Sequence, residues 1–254
     1  MNFAEDLKYV IQQFKAEGIT DLILDLRFNN GGSVELARYL AASIAGTSHR
    51  SDVFMRMQRN SGADEYIRFG DGDDLNLKSV RIICSEETDS ASELIISGLR
   101  GIDFPVKLFG SRTEGKNVGM EVQEYKYGNK YYEFAPITFR SFNAKDWGDY
   151  ADGIDPDVML NNQNSSYEDD IDNVFPYAFG DWDNFDFNYP LYWALCDVQG
   201  VDPTTGEPVK RSGRAGLTRS SKDEIIRVPS VPLKRPAGTF GSLIYNKPEV
   251  ENLY

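Results

Sequence analysis

The chain has 254 residues, 41% hydrophobic and 13% aromatic, enough for a sizeable core. It contains no run of about 18 uncharged apolar residues such as a membrane span needs. The formal net charge of −13 is uneven: residues 201–254 carry nine Lys/Arg against six Asp/Glu, which leaves −16 on residues 1–200. Nucleic acid binds through basic footprints, so a body this acidic excludes it as a partner.

The opening "MNFAEDLKYV" is amphipathic and acidic, unlike a signal peptide, so the chain is expected to be either cytoplasmic or a mature piece whose leader has gone. Leu7, Val10, Ile11 and Phe14 continue from Phe3 at helical spacing, and Gly18 is a stop, which predicts a helix over residues 3–17. "ITDLILDLR" then reads as a buried strand that runs into the sharp turn "FNNGG". Val34, Ala37, Leu40, Ala41 and Ile44 mark a second helix ending at Gly46, and the sequence helix, strand, glycine turn, helix indicates an α/β fold.

"DVFMRMQ" and "VRIIC" are predicted strands, with "GADEYIRFGDGDDLN" as a polar excursion between them. "ASELIISGLR" is a helix leading to a strand at "PVKLFG", and the aromatic runs on either side of Gly128-Asn129 read as a hairpin. Cys84 ends "VRIIC" as a small core hydrophobe, with a Cys84–Cys196 disulfide as the alternative.

Past residue 160 the character changes. "NNQNSSYEDDID" is an acidic connector, "YPLYWALCDVQG" a short helix ended by Gly200, and the last 54 residues, with six prolines, an extended arm. That basic arm beside an acidic body predicts either an intramolecular strap or a loosely ordered tail. Between Lys145 and Lys210 there are fifteen acids and no base, which reads as a solvated face. "DWDNFDFN" lacks the third acidic ligand and the glycine of an EF-hand loop, so no metal and no cofactor is predicted.

Three stretches carry groups able to do chemistry: "LILDLRFNNGGS", "SEETDSASELIISGL" and "FGSRTEGKNVG". Each has a structural explanation of its own. The glycines suit a turn with positive φ, Ser90 and Glu93 spell an S-x-x-E capping box, and Lys116 is a loop charge. Together they supply what acyl transfer needs. Ser90 sits at the positive end of a helix with the Ala91 N–H beside it, and a serine needs a base to become a nucleophile. Lys116, 26 residues on, can fold back as that base if burial favours its neutral form, and the paired glycines let bare backbone reach an oxyanion.

The order "LDLRFNNGG", "SASE", G-x-x-T-x-G-K and "DGIDPDV" resembles the tail-specific, C-terminal-processing serine peptidases over roughly residues 1–160. The resemblance implies a Clp protease/crotonase-like spiral core of ββα units, followed by residues 161–254 as connector, helix and arm. It implies a serine endopeptidase acting on a peptide or protein substrate in an extracytoplasmic setting. Its nucleophile falls on Ser90 and its general base on Lys116; the oxyanion donors fall on the Ala91 N–H and on Gly31 or Gly32.

The lone histidine agrees, since His49 lies in "GTSHRS" with no acidic partner expected nearby. Two departures stand out. Met120 occupies the position where many members place a glutamine that orients the lysine, with Glu121 and Gln123 as neighbouring polar groups. Members also carry a PDZ-like domain and a first core strand ahead of the helix that begins this chain, so a shortened chain is expected. The rival readings are a peptide-binding module that has lost its chemistry and, more remotely, an acyl-CoA enzyme of the crotonase type.

Overall fold

A computed structural model describes residues 3–160 and 189–209. In the first of these spans the elements follow the expected order. Helix α1 (Phe3–Glu17) leads to β1 (Leu22–Asp25) and α2 (Val34–Ala45), then a short 3-10 turn and β2 (Val53–Arg59), β3 (Glu65–Arg68) and β4 (Val80–Cys84). Helix α3 (Ala91–Gly101) precedes β5 (Val106–Gly110), β6 (Val118–Met120), β7 (Gln123–Tyr127), β8 (Lys130–Phe134), β9 (Ile137–Phe142) and β10 (Val158–Met159).

Two sheets share the core. The parallel sheet has the order β1-β4-β5-β10, with Leu22 beside Val80 and Val80 beside Val106. An antiparallel sheet has the order β3-β2-β9-β6. The excursion between the strands at 53 and 80 therefore contains a strand that was not expected: β3 pairs along β2, and its half-exposed residues alternate too weakly to stand out in the sequence.

Helix α3 is buried along almost its whole length, from Ala91 to Leu99, so it lacks the polar stripe of a surface helix. It crosses from β4 to β5, and because those strands are parallel neighbours, both its ends are fixed. That crossover sets Ser90 at the carboxyl end of the sheet. Ile11 of α1 is buried against the same core, with Leu7 and Phe14 packed beside it.

Residues 189–209 lie in a second unit. There α4 (Tyr189–Gln199) ends at Gly200, whose φ of 68° only glycine adopts freely. The start of the expected extended arm is instead a turn: the Asp202 carboxylate accepts from the N–H groups of Thr204 and Thr205, and Val201 bridges to Pro208. The connector and the rest of the arm fall outside the described residues. Cys84 and Cys196 are both free thiols, and burial pushes that of Cys84 up to about 12, as expected for an inert core residue.

Candidate active site

Strand β4 stops at Cys84, and the loop Ser85–Asp89 must turn the chain into α3. The turn is held from behind. Thr88 Oγ1 donates to the Leu26 carbonyl at 2.7 Å and accepts from the Ser85 N–H at 2.9 Å, while Ser85 Oγ donates to the Arg27 carbonyl. Arg27, itself buried, forks onto Asp25. The "LDLR" stretch is thus the anvil on which the serine turn is bent.

Ser90 is the pivot. Its φ of 58° and ψ of −114° are a conformation that L-residues other than glycine rarely adopt, and such strain is held only where the surroundings over-determine it. Its hydroxyl faces the N3 N–H as a capping box would have it, yet by distance and angle makes no hydrogen bond: Ser90 Oγ is a buried oxygen without a partner. The reciprocal half of the box is a full hydrogen bond, with the Ser90 N–H donating to Glu93 Oε2 at 2.9 Å. The residue as a whole is 1% exposed.

Glu93 does far more than cap. Fully buried, it accepts from Thr113 Oγ1 at 2.6 Å and the Gly115 N–H at 2.8 Å through Oε1, and from the Lys116 N–H at 2.8 Å and the Ser90 N–H through Oε2. One carboxylate therefore joins the serine turn to the lysine loop. Burial raises its pKa, and the four donors pull it back. Sequence reasoning assigned Glu93 the cap alone; the Thr-x-Gly-Lys spacing of residues 113–116 was the signal for its other three bonds.

Lys116 comes to the site at 22% side-chain exposure, with Nζ 3.9 Å from Asp89 Oδ2. Asp89, immediately before the serine, was missed by the sequence reading. Its side chain is 13% exposed and its Oδ1 is buried without a partner. Burial pushes the carboxyl up to about 6, against the pull of the Lys116 ammonium and with a further push from Glu93 and Glu114. Glu121 and Gln123, the neighbours of Met120, are elsewhere engaged: Glu121 bonds Arg59 at 2.9 Å, and Gln123 lies exposed in β7. His49 has an acidic partner after all, since Asp52 Oδ2 sits 2.7 Å from its Nδ1 in an exposed turn after α2.

The glycine turn lies directly against the serine. Gly31 has φ of 90°, and a Cβ there would come within 2.8 Å of both the Ala91 nitrogen and Ser90 Cβ. Only glycine permits that approach. The Gly31 N–H is already spent on Asn29 Oδ1 at 3.0 Å, and Asn29 also takes Ser92 Oγ on its side chain and carbonyl. Among the described residues the N–H groups of Gly32 and Ala91 have no hydrogen-bond partner.

The fourth motif, "DGIDPDV", is scaffolding. A Cβ at Gly115 would meet the Ala151 carbonyl oxygen at 2.4 Å, and Ile154 exchanges hydrogen bonds with Thr113. Asp157 accepts from the Leu108 N–H and from Arg100. The motif thereby ties the lysine loop, through Ile154, to β10, which pairs with β5 in the parallel sheet.

The profile of peptidase family S41 matches residues 1–160. The chain belongs to peptidase family S41. It is 25% identical over 162 residues to a CtpA-like serine protease of Staphylococcus haemolyticus, covering 63% of this chain and 31% of that protein. A CtpA-like serine protease of Staphylococcus aureus is 25% identical over 181 residues, covering 70% and 35% respectively. The chain thus spans about a third of the length of the curated relatives it matches. In fold it is similar to a Bacteroides fragilis protein assigned to the S41 proteases (TM-score 0.62, 23% identity, 77% of this chain and 49% of that one). The photosystem II D1 C-terminal processing protease gives a TM-score of 0.51 at 21% identity, over 63% and 39%. The mixed α/β architecture is that of S41 protease structures. Among the described residues no helix is long and apolar enough to cross a membrane.

Proposed function

We propose that residues 1–160 are the catalytic core of a serine endopeptidase of the C-terminal processing type, working through a Ser90/Lys116 dyad outside the cytoplasm. The observation that carries this reading is the buried, unpartnered Ser90 hydroxyl on a strained strand-to-helix turn, tied through Glu93 to the lysine loop. A serine that only capped its helix would spend that oxygen on the N3 N–H. The parallel sheet with α3 crossing between β4 and β5 supports the Clp protease/crotonase-like spiral.

In this mechanism Ser90 Oγ attacks the peptide carbonyl as Lys116 Nζ takes its proton. The N–H groups of Ala91 and Gly32 receive the oxyanion. The lysine then passes the proton to the departing amine; in the second step the neutral Lys116 amine takes a proton from water, the hydroxide cleaves the acyl-enzyme ester, and the lysine returns that proton to Ser90 Oγ. Asp89 takes the place of the absent glutamine, holding Lys116 in position by charge.

A fluorophosphonate probe tests the reading. Ser90 is expected to be labelled and the Ser90→Ala chain to stay unlabelled. A wild-type chain that remains unlabelled after long exposure would instead support the module that has lost its chemistry.

Asp89 gives the reading a pH signature. Its carboxylate is ionised above pH about 6, and only then does its charge hold Lys116 in position. Asp89→Asn is therefore expected to abolish the change in labelling rate that the wild-type chain shows near pH 6. Stability follows the same charge. The folded pKa lies above the ordinary 3.8, so the folded state binds more protons than the unfolded one across that window, and stability falls as pH rises from about 4 through about 6. Asp89→Asn should gain on the order of 2 kcal/mol at pH 8 and little at pH 4. Melting curves at the two pH values check this; an equal effect at both would remove Asp89 from the account.

A further inference from the structure

Strands β7 and β8 form a two-stranded sheet of their own, pairing with neither of the core sheets. All ten residues are exposed, and a lone hairpin is marginal in water. Its sequence adds to the difficulty, because Glu124 stands directly opposite Glu133 and like charges so placed repel. The register also sorts the side chains. Gln123 opposes Phe134, Tyr125 opposes Tyr132, and Tyr127 opposes Lys130, so one face carries four aromatic rings that are 42% to 71% exposed. The other face holds both glutamates, with Lys126 lying over the Tyr131 ring.

We infer that this tyrosine face is a docking surface for the extended segment of a peptide substrate flanking the bond to be cut. The inference rests on the peptidase reading and names what that site would hold. The size of the face selects the occupant. Strands of five residues are about 17 Å long, and two of them offer a face of roughly 200 Å². A stable pair of proteins needs about 800 Å² from each partner, so this face is too small for a second copy of the chain, which its net charge of −13 would also repel.

One extended polypeptide strand fits. It can lay apolar side chains, two residues apart, on the rings and pair its backbone with the edge of β7 or β8 that has no strand beside it among the described residues. The hairpin is also joined to the site by the chain itself. Lys116 precedes β6 by two residues, and β6 and β9 pair and run on into β7 and β8. At about 3.3 Å per residue, the step from Lys116 to Gln123 can reach at most roughly 23 Å, so the segment held lies within about seven substrate residues of the scissile bond.

The test uses reduced, carboxamidomethylated ribonuclease A, a permanently unfolded chain that is basic and so is not repelled by this one, with binding to the Ser90→Ala protein measured by interferometry. Adding Tyr125→Ser and Tyr132→Ser is expected to weaken binding at least tenfold, with an unchanged melting temperature showing that the fold is intact. Unchanged binding overturns the inference. So does sedimentation showing that Ser90→Ala is a dimer and that the tyrosine substitutions dissociate it, which would give the face to a second copy. Labelling of Ser90 in the wild-type chain reports separately on the peptidase reading, so failure of one can be told from failure of the other.

Discussion

Replacing Ser90 with alanine, or Lys116 with methionine, is expected to lower kcat/KM on any cleaved peptide by about 10⁴-fold, and the double replacement by no more than either alone. The reason is that in the proposed dyad nucleophile and base act as a unit. Without the serine the lysine has no proton to take, and without the lysine the hydroxyl keeps its own. The carboxylate of Glu93 binds both backbones through one oxygen, so the two residues cannot be positioned independently. Methionine keeps the length of the lysine stem and removes only the amine. Initial rates on a quenched peptide that wild type cleaves measure all three variants. If Lys116→Met retained more than a tenth of the activity, another base would be serving Ser90. Asp89 would then be the group to replace next, because its raised pKa leaves it able to accept a proton near neutral pH.

Much of this arrangement was legible in the letters, for physical reasons. Helices α1 and α2 repeat their apolar residues at helical spacing, and β1 and β4 are short apolar runs bounded by turns, so their ends fall where glycine and polar residues dictate. Strand β3 was not legible, because "EYIR" shows its pairing only when β2 lies beside it. The hairpin was read correctly from Gly128-Asn129, but its isolation from both core sheets depends on topology that a local pattern does not contain. At the site, the residue types at 31, 32, 90, 91 and 116 were visible as motifs. The division of labour between the two glycines was not, since it depends on Asn29 reaching the Gly31 N–H. Asp89 was overlooked because an acid beside a serine looks like an ordinary turn residue until Lys116 stands 3.9 Å away.

Glu93→Gln is expected to be the most damaging single substitution outside the proposed dyad. Each carboxylate oxygen accepts two hydrogen bonds, and every partner is a donor: the N–H groups of Ser90, Gly115 and Lys116 and the hydroxyl of Thr113. A glutamine has the same shape but turns one oxygen into an NH₂ group, which can accept nothing. Whichever way the amide lies, two donors then face a third, and only the Thr113 hydroxyl can rotate to answer it. At about 1–3 kcal/mol for each buried group left unpaired, the fold should lose roughly 2–6 kcal/mol with the nitrogen at the Oε2 position and roughly 1–3 kcal/mol with it at the Oε1 position. The loss is local as well as global. With the amide nitrogen at the Oε2 position, the Ser90 and Lys116 backbones both lose their anchor, so labelling of Ser90 should slow by far more than the fall in stability at 25 °C explains. With the nitrogen at the Oε1 position, Thr113 turns its hydroxyl to accept, only the Gly115 N–H is released, and labelling should survive in a less stable chain. Melting temperature and labelling rate, measured on the same preparation, distinguish these two outcomes. A variant unchanged in both would mean that the four hydrogen bonds do not hold the site together.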